Sequence, residues 1–399
     1  AAEAFVGVFR IADPGAFRAH LVHACATAHQ IDPFYTALTA YLRDRSNPTF
    51  HDVSQWYDFG HIDTYYRARR TFGRTARYFN TVDIRPETGT LVKRARDHGK
   101  LAQEADWYNS LPPDLAHICP RVLRSTQTGD TTELELELYS YPSLNEMYLF
   151  GAFDDAVWAQ VFDALDRILD HMGSHRLNRS DDDPTLREAR ERMYAEKTRK
   201  RLVDAMSSDN LRGFTGETVS INGQRLPGLT RVADHLEDFC DVAGVYAPAS
   251  FTIVHGDLCL SNLLFDRRNG FIRVVDPRGD FGGFKLYGDP YYDAAKLAHS
   301  FEGDYDFIVN DLVKAEWHRG DFIFRTAVDA RHARVKDLFY AWLTRRYGPA
   351  EIHRVRAIEA LLFLSMVPLH ADNPLAQQCF VARGLQLYDQ IYGTTRIAA

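Results

Sequence analysis

The sequence has 399 residues, 45% of them hydrophobic and 25% charged, with a formal net charge of −7. That length exceeds the ~100–200 residues of one compact domain, so two or three units are expected. No apolar run approaches the roughly 18 residues of a membrane span, and the negative balance argues against a nucleic-acid or anionic-membrane binder.

Five cysteines, Cys25, Cys119, Cys240, Cys259 and Cys379, lie far apart, form no CxxC pair and are odd in number. They read as the reduced thiols of a cytoplasmic protein. The opening "AAEAFVGVFRIADPGAF" has no initiator Met and no basic leader, and it reads like the middle of a folded protein. The chain is therefore expected to be part of something longer.

In chain order, an apolar strand is expected over Phe5–Ile11, then a helix after the "DPGAF" turn, then "VSQWYDFGHIDTYYRARR". Residues 75–140 are strand-rich. "ARYFNTVDI" and "GTLVKRA" flank "RPETG", a hairpin turn with Pro and Gly in its loop. "LAQEADWYNSL" has apolar residues at helical spacing and stops at "PP", while "ELELELYSY" alternates as a half-buried strand does. From Leu144 onward a mostly helical region is expected. "DDAVWAQVFDALDRILDHMGSH" is amphipathic, and the basic face Arg190–Arg201 reads as solvated helix. Residues 288–395 read as several helices, with "RAIEALLFLSMVPLH" apolar all round and buried.

The richest chemistry lies between. "FTIV" is a short β-branched run, so His255-Gly256-Asp257 stands where a strand leaves the core. "NLLFD" and "FIRVVD" form two apolar strands around "RRNG", which puts Asn262 at the entrance of a hairpin and Asp276 at its exit. Three oxygen-bearing side chains are thus expected to converge. Mg²⁺ takes hard oxygen ligands, usually one or two carboxylates plus substrate phosphates, and Asp276 with Asn262 suits that task. Asp257 would orient an attacking hydroxyl and accept its proton. Phosphoryl transfer needs little more from a protein than positioning and charge neutralisation.

The stretch 254–300 resembles the aminoglycoside phosphotransferase and choline kinase family. That resemblance implies an α+β, protein-kinase-like two-lobed phosphotransferase fold with a largely helical C-terminal lobe, preceded by a small αβ segment. It implies ATP and Mg²⁺ as cofactors, Asp257 as catalytic base, and Asn262 and Asp276 as metal ligands. It also implies His255 in support and Asp293, in "GDPYYDAAKL", bracing the catalytic loop. Pro277-Arg278 departs from the family's usual metal-site sequence, and Arg278 would bring positive charge toward the phosphates or form a structural salt bridge. A kinase-like site also needs a cation on the nucleotide phosphates. Lys93 in "GTLVKRA" is favoured, with Glu104 as its helix partner; Lys100, four residues before Glu104, is the alternative. Leu138, Tyr139 and Tyr141 would form the hinge whose main chain reads adenine. No phosphate-cradling G-x-G-x-x-G loop is present.

The expected division is 1–70 for the αβ segment, 71–142 for the nucleotide lobe and 143–399 for the helical lobe with the acceptor site. Acceptor candidates are Asp289, Tyr292, His370, Asp372 and Asn373. The partner is expected to be a small-molecule hydroxyl, with a neutral sugar or polyol favoured over a polycation or choline. "FVGVFRIADPGAFRAHL" and the later "WYDFGH" resemble the tail of a sugar-phosphate nucleotidyltransferase. This implies a bifunctional protein in surface-glycan or nucleotide-sugar precursor synthesis, with a linked nucleotidyltransferase domain missing from this chain. Competing readings are a kinase-like nucleotide-binding module without turnover, and an amino-alcohol kinase.

Overall fold

The computed structural model describes residues 11–27, 33–45, 74–77, 80–85, 87–96 and 98–398. The chain divides into two compact units, Ala1–Arg69 and Arg70–Ala399. In the first, α1 (Pro14–Thr27) and α2 (Pro33–Arg43) bury Phe17, Ala24, Ala37, Leu38 and Tyr41 against one another. The "WYDFGH" stretch, and all but the last residue of the strand expected over Phe5–Ile11, lie outside the described residues.

The second unit begins with five antiparallel strands in the order β1-β2-β3-β5-β4. These are β1 (Arg74–Arg77), β2 (Asn80–Arg85), β3 (Thr90–Ala95), β4 (Val122–Thr128) and β5 (Thr131–Glu137). The "RPETG" hairpin forms as expected, with Arg85 opposite Thr90 and Gly89 in the left-handed region (φ 66°). The Glu–Leu alternation of β5 sends Leu134 and Leu136 into the core. Its other face carries Glu133, which takes charged hydrogen bonds from Arg94 at 2.7 Å and Arg124 at 2.5 Å. Between β3 and β4, α3 (His98–Ser110) packs on the sheet.

The remainder is built on helices, beginning with α4 (Leu144–Phe150), which starts in a capping box of Ser143 and Glu146. α5 (Asp155–Ser174) follows, capped by Asp154, and then α6 (Pro184–Glu191), which passes through a π turn at Arg192–Glu196 into α7 (Lys197–Met206). Strand β8 (Thr252–Ile253) leads to the His255–Asp257 loop, and β9 (Leu263–Asp266) pairs with β10 (Phe271–Val274). β11 (Tyr287–Gly288) returns to β8 ahead of α8 (Pro290–Phe301). The chain ends with α9 (Ala330–Tyr347), α10 (Pro349–Met366) and α11 (Pro374–Ala398). α10 is buried on nearly every side, as its sequence predicts.

One expectation fails. Residues 288–395 are not all helical, because β12 (Val313–His318) and β13 (Asp321–Thr326) form a hairpin. It joins β6 (Thr218–Ile221) and β7 (Gln224–Pro227) in a four-stranded sheet through a parallel β13–β6 pairing. The two-residue loop Arg319-Gly320 has both φ angles positive (50° and 83°), the geometry of a primed hairpin turn, but Arg in place of the usual Asn hides the signal. All five cysteines are free. Among the described residues no helix is long and apolar enough to cross a membrane.

Candidate active site

The loop after β8 is pinned from several directions. Asp293, one turn into α8 and 1% exposed, accepts the backbone N–H groups of His255 at 2.7 Å and Gly256 at 2.8 Å. Gly256 sits at φ 75°, and a Cβ there would meet the Cβ of Arg278 at 2.8 Å, so the position demands glycine. The buried His255 ring donates from Nε2 to the Val275 carbonyl at 3.0 Å, while its Nδ1 accepts the Asp257 N–H at 3.3 Å. Both bonds suit neutral imidazole, and burial pushes its pKa down to about 4.

Asp257 emerges from this loop with 42% of its side chain open. The Asn262 amide donates to its main-chain oxygen at 2.8 Å and to its carboxylate at 3.2 Å, and Lys296 Nζ lies 2.8 Å from the other carboxylate oxygen. Burial works to raise the Asp257 pKa, but the Lys296 ammonium dominates with its neighbours and brings it down to about 2. The carboxylate is therefore ionised and aimed, as a proton acceptor must be.

The hairpin does what its sequence implies. The Val275 N–H donates to the Asn262 carbonyl at 3.0 Å, so the ends of β9 and β10 stay in register and hold Asn262 beside Asp276. Asp276 itself lies at φ 59°, an uncommon and costly backbone state for a residue with a side chain. Such strain persists only where surrounding contacts hold it. The Asp276 N–H donates to the Tyr108 hydroxyl at 3.0 Å, that hydroxyl donates to Glu104 at 3.3 Å, and the Asp276 carboxylate contacts Lys93. Three residues on, Gly279 (φ 76°) lies so close to α3 that a Cβ would meet the Gln103 carbonyl oxygen at 2.5 Å.

Lys93 and Glu104 form a buried ion pair at 2.6 Å, 6% and 7% exposed. Burial alone would lower the Lys93 pKa, but the carboxylates of Asp276 and Glu104 outweigh it and raise it above the ordinary value. Glu104 moves up too, to about 7, chiefly through burial. One ammonium between two carboxylates cannot fully compensate both, and the more deeply buried acid bears the cost. Lys93 stays charged. Lys100 is exposed on the first turn of α3, and the strand lysine is the one that pairs with Glu104.

Asp276, with 41% of its side chain exposed, and Asn262 offer hard oxygen donors side by side, a set that fits Mg²⁺ and its preference for few protein ligands. Asn262 turns its amide nitrogen toward Asp257, which leaves its amide oxygen for other partners. Leu138, Tyr139 and Tyr141 follow β5 directly, on the way into α4. The Leu138 N–H is taken by the Gly89 carbonyl at 2.9 Å, and Arg273 lies over the Tyr139 ring at 4.9 Å.

The acceptor candidates divide. The Tyr292 hydroxyl meets Arg278 at 3.3 Å and Lys197 at 3.5 Å. Asp289 serves the core instead. It is fully buried, caps α8 and binds Arg190 at 3.2 Å, Arg354 at 3.1 Å and the Tyr194 hydroxyl at 3.1 Å. The same network corrects the solvated reading of the basic helix, since Arg190 is 1% exposed. His370 packs on Phe380 at 4.9 Å and beside Tyr305, whose ring stacks on His299 at 4.4 Å. Asn373 caps α11 and bonds Asp311 at 3.3 Å, a structural task, and Asp372 is exposed. Sequence reasoning missed Tyr108, Lys296 and Lys197. For Lys296 the signal was present, since it lies one turn after Tyr292 and Asp293 on the same helix.

A sequence model of the phosphotransferase enzyme family (APH) matches residues 75–333, well over half the chain. A comparison with curated proteins returns no match. Among solved structures, a thermostable mutant of aminoglycoside phosphotransferase APH(4)-Ia, in ternary complex with AMP-PNP and hygromycin B, is similar at TM-score 0.47 and 13% identity, covering 82% of this chain and 92% of that one. Glucosamine kinase in complex with glucosamine, ADP and inorganic phosphate is similar at TM-score 0.45 and 15% identity, covering 78% and 74%. The family match runs from the sheet that carries Lys93 through the loop that carries Asp257 and beyond. The chain belongs to the phosphotransferase enzyme family.

Proposed function

We propose that this kinase moves the γ-phosphoryl group of ATP to a hydroxyl of a sugar or polyol. The acceptor oxygen bonds to the γ-phosphorus, the bond to the β–γ bridging oxygen breaks with its electron pair leaving on ADP, and the hydroxyl proton passes to Asp257. Lys93, steadied by Glu104, neutralises phosphate oxygens, and main-chain groups of Leu138, Tyr139 and Tyr141 meet the adenine edge. Asn262 and Asp276 hold Mg²⁺, which when bound screens the charge of the phosphates. His255 and Asp293 keep the Asp257 loop in its one productive shape, and Arg278 lends charge from the far side. In this reading residues 71–142 serve the nucleotide, and 143–399 carry the catalytic loop and the acceptor site.

The observation that carries the proposal is the convergence of Glu104 and Asp276 on Lys93, with Asp257 and Asn262 hydrogen-bonded to each other on the neighbouring loop. A surface-glycan or nucleotide-sugar setting rests on the likeness of the first seventy residues to the tail of a nucleotidyltransferase, and a cytoplasmic setting on the separated cysteines. The test is ATP consumption with Mg²⁺ against sugars, polyols and amino alcohols. Acceptor-dependent ADP release on a sugar or polyol is expected. Tight ATP binding with no turnover on any acceptor would mark the chain as a nucleotide-binding module instead.

A further inference from the structure

Linked to Asp257 through Lys296 and Tyr292 lies a group of cations with too few anions. Lys197 opens α7, and Arg201 follows one turn later on the same face. The Lys197 ammonium is 3.5 Å from the Tyr292 hydroxyl and 5.6 Å from the centre of its ring. The Arg278 guanidinium reaches the same hydroxyl at 3.3 Å, and Arg201 is anchored on the Ser365 carbonyl at 2.8 Å. One turn beyond Tyr292 on α8 stands Lys296, already committed to Asp257.

Among the described residues, no carboxylate lies within ion-pair distance of Lys197, Arg201 or Arg278. Other buried cations are matched: Lys93 has two carboxylates, and Arg190 and Arg354 share Asp289. All three unmatched cations are half-buried. Withdrawing positive charge from water without a counter-charge is costly, and the cost is recovered when an anion enters. The titration of the group agrees. Burial pushes Lys197 down to about 8 with the help of Arg278, Arg201 and Lys296, while the phenol of Tyr292, which burial would raise, is drawn down to about 8 by the surrounding cations.

We propose that Lys197, Arg201 and Arg278 bind an anionic substituent of the acceptor, a phosphate or carboxylate, so that the hydroxyl phosphorylated belongs to a sugar or polyol already carrying negative charge. This rests on the phosphotransferase reading above, and it replaces the neutral acceptor expected from the sequence. The position suits the task. Arg201 and Lys197 are fixed to the helical lobe, through Ser365 and Tyr292, and Tyr292 and Lys296 carry the group up to the carboxylate of Asp257. An anion held there would present a neighbouring hydroxyl to Asp257. The guanidinium pair offers the forked donors that phosphate and carboxylate accept in pairs.

The experiment compares matched acceptors: glucose with glucose 6-phosphate and glucuronate, and glycerol with glycerol 3-phosphate and glycerate. Binding is read by calorimetry and transfer by ATP consumption, for the wild type and for Lys197→Met with Arg201→Met. At least one charged member should bind tenfold or more tightly than its neutral parent, the phosphate and carboxylate arms telling which anion is preferred. The double variant should erase that preference while ATP affinity stays within about twofold. Inorganic phosphate alone should raise the melting temperature of the wild type and not of the variant. Neutral members binding as well as charged ones, or an undiminished anion response in the variant, would overturn the proposal. Anion preference without turnover of any acceptor would leave this site standing and sink the phosphotransferase reading. Rapid turnover of a neutral acceptor with no anion preference would do the reverse.

Discussion

The indole N–H of Trp107 donates to the Val254 carbonyl at 2.9 Å, and the ring meets His255 edge-on at 5.7 Å. The helix that carries Glu104 is thereby fastened to the strand that feeds the Asp257 loop. Trp107→Phe keeps a ring but leaves that buried carbonyl without its donor, a loss of about 1–3 kcal/mol. We expect a KM for ATP roughly tenfold higher and a melting temperature lower by a few degrees, read by steady-state kinetics and thermal melts. An unchanged KM would mean that α3 holds its place without this bond.

Asp257→Asn should cut kcat by about 10²–10⁴, the usual worth of a positioned base, with ATP affinity nearly constant because in the proposed reaction the residue acts on the acceptor. Asp276→Ala should instead remove the Mg²⁺ dependence of ATP binding. Equilibrium titrations of ATP with and without Mg²⁺ separate the two. A large loss of ATP affinity in the Asn variant would count against the base assignment.

Asp289→Ala strips the counter-charge from two buried arginines, Arg190 and Arg354, and the acceptor from Tyr194. Breaking such a pair from one side costs about 3–5 kcal/mol. At roughly 2–4 °C per kcal/mol for a domain of this order, the melting temperature should fall by about 10 °C. A shift within two degrees would show the network to be dispensable.

Glu359 lies fully buried on α10, and neither carboxylate oxygen has a hydrogen-bond partner. Burial, followed by the nearby Glu302, raises its pKa well above the ordinary value. The folded state thus keeps a proton that the unfolded chain releases above about pH 4.5, so this group makes stability fall as pH rises. Glu359→Gln cannot ionise. It should melt a few degrees above the wild type at pH 8, with the gap closing toward pH 5. A constant difference across that range would place the charge elsewhere.

The residues that sequence reading grouped as a site are those whose spacing is dictated by local backbone. Gly256 and Asp257 share one loop, Asn262 and Asp276 share one hairpin, and Asp293 follows in the next helix. Lys93 and Glu104 were legible because a strand and the helix after it fix their separation. Tyr108 was not. Nothing in a helix sequence tells a hydroxyl that bridges Glu104 to the Asp276 backbone from one in solvent. The basic helix misled for another reason: Arg190, Tyr194, Lys197 and Arg201 recur at the spacing of one helical face, and that face turns inward, toward Asp289 and Tyr292. Charge content predicts solvent exposure only when no buried acid or ligand waits for it.

Ser220 pairs with Asp321 across the parallel β6–β13 junction, 101 residues apart in sequence. On a ribosome adding about 5–20 residues each second, β6 would wait several seconds for that neighbour, its open border bare in the meantime. Nascent chains stalled late in that interval would own the Asp257 loop and yet lack the clasp that closes this sheet. Chaperone demand during synthesis should therefore peak there.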